Sequence, residues 1–285
     1  MQISPQKALD RFPAQCVETA DGRIQYRSAG KAAAVTHVLL HGIGSGSASW
    51  AYQLLQAQDR PDLRVLAWDA PGYGASTPVA PSSPLAHDYA LRMWQWLDAM
   101  AVTNAVVLVG HSLGALMAAS AALVRPAQVS RVVLLSPARG YGDANPQERE
   151  EKLASRLGTL ERLGPRGMAA ARGAAMLSPS AALELVEAVQ ETMAQVNPTG
   201  YAQAARMLAN GTLLRDVAAL TCPVSVASGE ADTITPPAGC SLVAREAGQD
   251  WLNLGLVGHA CPLEAPAAVN ALLGLTLSET KEATT

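Results

Sequence analysis

Charge is scarce in this chain. Only 16% of its 285 residues are Asp, Glu, Lys or Arg, and the formal net charge is −3. No basic block stands out, which argues against a nucleic-acid-binding surface. Aromatic residues make up 4%, and phenylalanine occurs once, as Phe12. Any aromatic wall of a binding site must therefore come from tryptophan or tyrosine. No run of about 18 uncharged apolar residues occurs, so no membrane span is expected. The stretch from Met1 to Pro13 lacks the apolar core of a secretory leader. Cys16, Cys222, Cys240 and Cys261 lie far apart without C-x-x-C spacing, so neither a disulfide frame nor a zinc site is expected. The expectation is a soluble cytoplasmic protein with reduced thiols, no metal and no cofactor. Oligomeric state is not legible.

What is present is apolar: 49% of the residues are hydrophobic, enough for a substantial core. At this length the chain is one large α/β domain or a domain with an insertion. Asp21-Gly22 followed by the alternating Arg23–Ser28 predicts an antiparallel pair. Apolar strands are then expected at Val35–Leu40, Leu63–Trp68, Val106–Val109 and Arg131–Ser136, with helices near 48–58 and 84–100. This alternation indicates a mostly parallel sheet covered on both faces. From about Arg139 to Asn210 only helical spacings occur, punctuated by Gly164-Pro165, Pro179 and Asn197-Pro198. Strand signals resume at Pro223–Ser228 and Trp251–Val257, with a final helix to about Leu275 and a polar tail, Ser278–Thr285, expected to fray.

The informative stretch runs from Val106 to Ser120. A buried strand leads into Gly110-His111-Ser112-Leu113-Gly114 and then into an Ala-rich helix. Strand, abrupt turn, helix, with serine at the apex, is the G-x-S-x-G nucleophile elbow. The strained turn lifts the serine hydroxyl clear of the sheet, and the glycines leave room for it. The helix N-terminus beyond favours developing negative charge.

In an open α/β sheet, function gathers at the carboxyl ends of the strands. Those ends carry His41-Gly42-Ile43-Gly44, Asp69, Ser112, Asp232 and His259. Serine, acid and histidine in that order resemble the α/β-hydrolase superfamily. Gly229-x-x-Asp232 with Pro236-Pro237, and Gly258-His259 with Glu264-Ala-Pro266, are also similar to its motifs. The resemblance spans about Arg23 to Leu275. It implies a mostly parallel eight-stranded α/β-hydrolase sheet with helices on both faces and a helical cap insertion. The implied divisions are 1–138 for the first part of the core, 139–210 for the cap, and 211–285 for the second part of the core.

The resemblance also implies roles. Ser112 is the nucleophile, His259 the base and later the acid, and Asp232 the group that orients the imidazole. Glu230 is the rival acid. The backbone N–H groups of Ile43 and Leu113 form the oxyanion hole. His41 is read as a brace for that loop, and Asp69 as fixing its own loop. Cys261 is read as a buried thiol.

The substrate is less legible. The nucleophile being serine sets aside the aspartate-nucleophile dehalogenases and epoxide hydrolases. Meta-cleavage C–C hydrolases usually carry Asn before the nucleophile and Trp after the histidine, where this chain has His111 and Ala260. The pattern is closer to esterases and enol-lactonases. The expected function is a cofactor-free serine hydrolase of a small ester or lactone, with C–C hydrolysis or a ligand receptor on the same fold as alternatives. Pocket candidates are Trp50, Tyr73, His111 and Tyr201. Arg156, Arg162, Arg166, Arg172 and Arg206 are candidates for binding a substrate carboxylate.

Overall fold

The computed structural model describes residues 3–276, so the polar tail Ser278–Thr285 lies outside the described residues. Eight strands form one sheet: β1 (Gln15–Thr19), β2 (Gly22–Ala29), β3 (His37–Leu40), β4 (Val65–Trp68), β5 (Val106–His111), β6 (Val129–Leu135), β7 (Val224–Ser228) and β8 (Trp251–Asn253). Their order is β1-β2-β4-β3-β5-β6-β7-β8. The pairs β1/β2 and β2/β4 are antiparallel and every other pair is parallel. The turn at Asp21-Gly22 makes the first hairpin, as its residues predict, with Gly22 at φ 103°.

The central strands are mostly apolar because both of their faces are covered. Side chains alternate between two cores along each of them. Val38, Leu40, Leu66, Trp68, Leu108, Val132, Leu134 and Val226 face one side, together with Tyr89, Met93, Trp96 and Leu116 from the helices Ala86–Ala99 and Gly114–Val124. Leu39, Val65, Ala67, Val109, Val133, Leu135 and Ala227 face the other, against Leu54, Val269 and Leu273 from the helices Ala51–Ala57 and Pro266–Leu273. Leu39 is fully buried; truncating such a leucine to alanine costs about 2–5 kcal/mol.

Between β6 and β7 the chain contains helices and no strand: Pro146–Arg172, Leu183–Ala194, Pro198–Asn210 and Leu213–Ala218. The first is broken at Gly164, whose φ of 62° and ψ of 176° lie outside helical space, with Pro165 next. Asn145 caps its start through Glu148 N–H at 2.8 Å, and Asn197 caps Pro198–Asn210.

Strands β3, β4 and β8 are shorter than the sequence suggests: β3 starts at His37 rather than Val35, β4 at Val65 rather than Leu63, and β8 is cut at its end. Strand β8 ends at Asn253 rather than Val257. Gly255 takes φ 98°, and its N–H donates to the Asn253 side chain at 2.9 Å, so a local turn replaces the ladder. Among the described residues no helix is long and apolar enough to cross a membrane.

Candidate active site

Strand β5 ends at His111, and Ser112 follows in a left-handed conformation with φ 53°. That conformation costs a non-glycine residue about 1–3 kcal/mol and must be held by its surroundings. Ser112 N–H donates to Leu135 O at 2.9 Å, and Ala138 N–H donates to Ser112 O at 3.1 Å, tying the elbow to β6 and the loop after it. The motif's two glycines are required by space. A Cβ on Gly110 would strike the backbone of Gly114, and one on Gly114 would strike the Leu40 carbonyl.

The acid and the histidine come from the loops after β7 and β8. The Asp232 carboxylate is buried and fully engaged. Its Oδ1 accepts the Ile234 and Thr235 N–H groups, each at 2.9 Å. Its Oδ2 accepts His259 Nδ1–H at 2.9 Å and the Thr235 hydroxyl at 2.9 Å. Burial alone would raise this carboxyl, but the bonds and charge of His259, joined by Thr235, hold it down at about 2. With Nδ1 donating to Asp232, the proton-accepting nitrogen of the His259 ring is Nε2. Glu230, the rival acid, is exposed and faces Asn253 instead.

Ser112 and His259 line the same cavity, together with Ile43 and Leu113. Among the described residues there is no hydrogen bond between the Ser112 hydroxyl and His259. Among the described residues, neither the Ile43 nor the Leu113 N–H has a protein acceptor. Leu113 precedes the helix Gly114–Val124, so its N–H is one of the orphan donors of a helix start.

The loop carrying Ile43 is braced from beneath. His41 Nδ1–H donates to Gly42 O at 2.8 Å, and its Nε2 accepts the Ala70 N–H at 2.9 Å. Asp69 accepts Ser47 N–H at 2.7 Å, the Ser47 hydroxyl at 2.9 Å and Gln25 Nε2–H at 2.7 Å. His111 Nε2–H donates to His259 O at 2.8 Å, and the two rings lie 4.9 Å apart. Burial, then the neighbouring His259, lowers His111 to about 3, so it stays neutral.

Two compartments meet at this point. The larger, of about 340 Å³, is lined by Met168, Met176, Met193, Tyr141, Tyr201 and Leu208 among others. The smaller, of about 40 Å³, is lined by Ser49, His111, Val189, Thr192, Pro262 and Leu263 besides the shared residues. Ile43, Gly44, Ser112, Met176, Met193 and His259 border both.

The sequence-level pocket residues divide accordingly. Tyr201 and His111 line the cavities; Trp50 and Tyr73 do not. Trp50 is fully buried in the core on the Ala51–Ala57 side of the sheet, its ring edge-on to His111 at 6.3 Å. Tyr73 is buried in the opposite core, edge-on to His41 at 4.9 Å. Both large rings were drawn inward because burying apolar area outweighs exposing it in a pocket. Of the five arginines, Arg156 and Arg172 line the larger cavity. Arg162 and Arg166 are exposed outside it, and Arg206 reaches Ser82 O instead.

Arg139, Tyr141 and Thr235 were not foreseen as site residues. Arg139 follows the carboxyl end of β6, and that position was itself the available signal. The four cysteines are free, with Cys240 and Cys261 buried, and burial pushes the Cys261 thiol up. Among the described residues no cluster of His, Cys, Asp and Glu could hold a metal ion.

Comparison with known proteins agrees with this architecture. A protein of Klebsiella pneumoniae strain 342 that carries the name carbamate hydrolase RutD is 29% identical over 247 residues, covering 83% of this chain and 88% of that one. The 3-oxoadipate enol-lactonase 2 of Acinetobacter baylyi is 25% identical over 256 residues, covering 88% and 91%. The crystal structure of a hydrolase from Pseudomonas aeruginosa superposes with a TM-score of 0.76 at 26% identity, covering 92% and 98%. The profile of the alpha/beta hydrolase family matches residues 38–272. That match runs from β3 into the last helix, and the chain is accordingly a hydrolase belonging to the alpha/beta hydrolase family.

Proposed function

We propose that this hydrolase cleaves a carboxylic ester or lactone of a small metabolite through an acyl-enzyme on Ser112. The observation that carries the reading is the convergence of Ser112, at φ 53°, and the Asp232-bound His259 ring on one cavity beside two uncommitted N–H groups.

His259 Nε2 takes the Ser112 hydroxyl proton as Oγ attacks the carbonyl carbon. Asp232 holds the tautomer and balances the resulting imidazolium. The carbonyl oxygen becomes an oxyanion facing the Ile43 and Leu113 N–H groups, each such donor contributing about 3–4 kcal/mol to the transition state. His259 then protonates the leaving oxygen, and the C–O bond breaks. Water, deprotonated by the same Nε2, attacks the acyl carbon and releases the acid. In a lactone the leaving oxygen remains attached to the acyl chain, so the ring opens. The similarity to the Acinetobacter 3-oxoadipate enol-lactonase supports the lactone form of this reading. The four unpaired thiols support a reducing, cytoplasmic setting. Its partner is then a small-molecule substrate.

The test is time-resolved hydrolysis of p-nitrophenyl acetate by wild type and Ser112→Ala protein. Sustained turnover in the wild type, with a loss of roughly 10³-fold or more in the variant, is expected. Residual activity within tenfold of wild type would overturn the nucleophile. A single burst from folded wild type would turn the reading toward a ligand receptor.

A further inference from the structure

The larger cavity is lined by three arginines and, among the described residues, by no carboxylate side chain. Arg139 enters from the loop after β6, and Arg156 and Arg172 from the broken helix Pro146–Arg172; no Asp or Glu lines the space. None of the three arginines makes a side-chain hydrogen bond or ion pair among the described residues, whereas Arg23, Arg60, Arg125 and Arg215 are all paired with acids. Arg156 and Arg172 are half-buried and Arg139 is exposed. The helix Pro237–Glu246 presents its first turn, Ala238 and Gly239, to the same space. The positive end of its dipole adds to the field.

The convergence depends on a backbone break. On an unbroken helix Arg156 and Arg172 would stand about 24 Å apart along the axis, at 1.5 Å per residue. Gly164, with φ 62° and ψ 176°, turns the chain so that both arms face one cavity. Three arginines with no acid beside them leave a positive field in the cavity that favours an anion. Guanidinium suits a carboxylate because its planar fork donates two parallel bonds. The rest of the lining is apolar: Met168, Met176, Met193, Leu208 and Ile234.

We infer that the substrate is an anionic ester or lactone. Its carboxylate is held by Arg139, Arg156 and Arg172 in the larger compartment, and a short apolar group occupies the smaller one across the scissile bond. The inference rests on the proposed Ser112 chemistry for the word ester, but the recognition is independent of turnover. The volumes support the asymmetry, since about 40 Å³ accommodates little more than a methyl or acetyl group beside about 340 Å³.

The experiment uses two matched pairs, each with a small group opposite the charge. They are 3-acetoxybenzoate against 3-acetoxybenzamide, and monomethyl adipate against its neutral primary amide. Hydrolysis by wild type is compared with that by Arg139→Gln/Arg156→Gln/Arg172→Gln protein. Calorimetric binding of the intact esters to Ser112→Ala protein reads recognition without chemistry.

A preference for the anion of at least tenfold in one pair, falling to within threefold in the arginine variant and weakening with added salt, is the expected result. Equal treatment of both members in both pairs, or a preference that survives loss of the three arginines, would overturn it. If the triple variant fails to fold, the single substitutions Arg156→Gln and Arg172→Gln apply the same criterion, each expected to lower the preference at least threefold. Should the wild type hydrolyse nothing while Ser112→Ala protein binds the anion selectively, the serine chemistry fails and this inference stands. Hydrolysis of neutral esters without any anionic preference gives the reverse.

Discussion

A Cβ placed on Gly42 would stand 2.9 Å from the Cβ of Ser112. The two residues belong to different strand ends, and in the proposed mechanism the narrow gap between them sets how closely the Ile43 N–H can approach the reacting carbonyl. A contact under 3.0 Å forces either the loop or the serine to move. Gly42→Ala is expected to lower kcat by about 100- to 1,000-fold, the range for a lost oxyanion donor, with little change in KM. Steady-state kinetics beside a near-UV spectrum of the folded variant checks it; unaltered kcat would mean that the loop yields freely.

The Asp232–His259 pair depends on Thr235 as well as on its own 2.9 Å bond. Thr235 Oγ also lies 3.1 Å from His259 Nδ1 and 3.0 Å from Ser136 O, so its single proton has either the Asp232 carboxylate or that carbonyl as acceptor. Asp232→Asn is expected to cost about 10⁴-fold in kcat by losing the tautomer. Thr235→Val, which keeps the shape and loses one hydroxyl, is expected to cost about fivefold, the equivalent of one ordinary hydrogen bond. Equal losses in the two variants would contradict this division of labour.

Protonation of His111 gives the stability a pH dependence whose sign is fixed. Its folded value of about 3 lies below the ordinary 6.5 because burial, then His259, opposes the charged ring. Between those values the unfolded chain binds a proton that the native protein does not, so stability falls as pH drops from about 6.5 toward 3. Burial lowers His41 in the same direction. Urea unfolding between pH 7 and 4 should therefore show a steeper loss in wild type than in His111→Asn protein. Parallel slopes would remove His111 from the account.

Glu264 joins the helical region to the histidine loop. Its carboxylate accepts the Ser178 N–H at 3.0 Å, the Ser178 hydroxyl and the Gly258 N–H at 2.8 Å, while Ala260 N–H donates to Met176 O at 2.7 Å. Glu264→Ala leaves those donors without a partner, at about 1–3 kcal/mol for a buried group. A lower Tm together with a reduced kcat is expected. A lower Tm with unchanged kcat would mean that the clamp serves folding alone.

Much of this protein is local and so could be read along the chain. The elbow at Ser112 is a strand, a turn and a helix within a few residues, and the helices between β6 and β7 follow from apolar spacing and from caps at Asn145 and Asn197. The positions at strand ends carry chemistry because parallel strands deliver their carboxyl ends to one edge of the sheet. Local pattern gave too long a β8, since the turn at Gly255 interrupts an otherwise acceptable apolar run.

What the amino-acid order determined by itself is the set of elements and which residues stand at their ends. What only the tertiary structure decided is which side chains share a space. Trp50 and Tyr73 looked like pocket walls and were taken by the two cores, because hydrophobicity drives large rings inward without saying where the cavity is left. Arg139 comes from the loop after β6 and Arg156 and Arg172 from the two arms of one broken helix, and the break at Gly164 and the end of β6 bring them to one cavity. The pairing of Asp232 with His259 is of the same kind. Periodicity encodes a residue's face on its own element, whereas proximity between elements is set by the packing of the whole sheet and its helices.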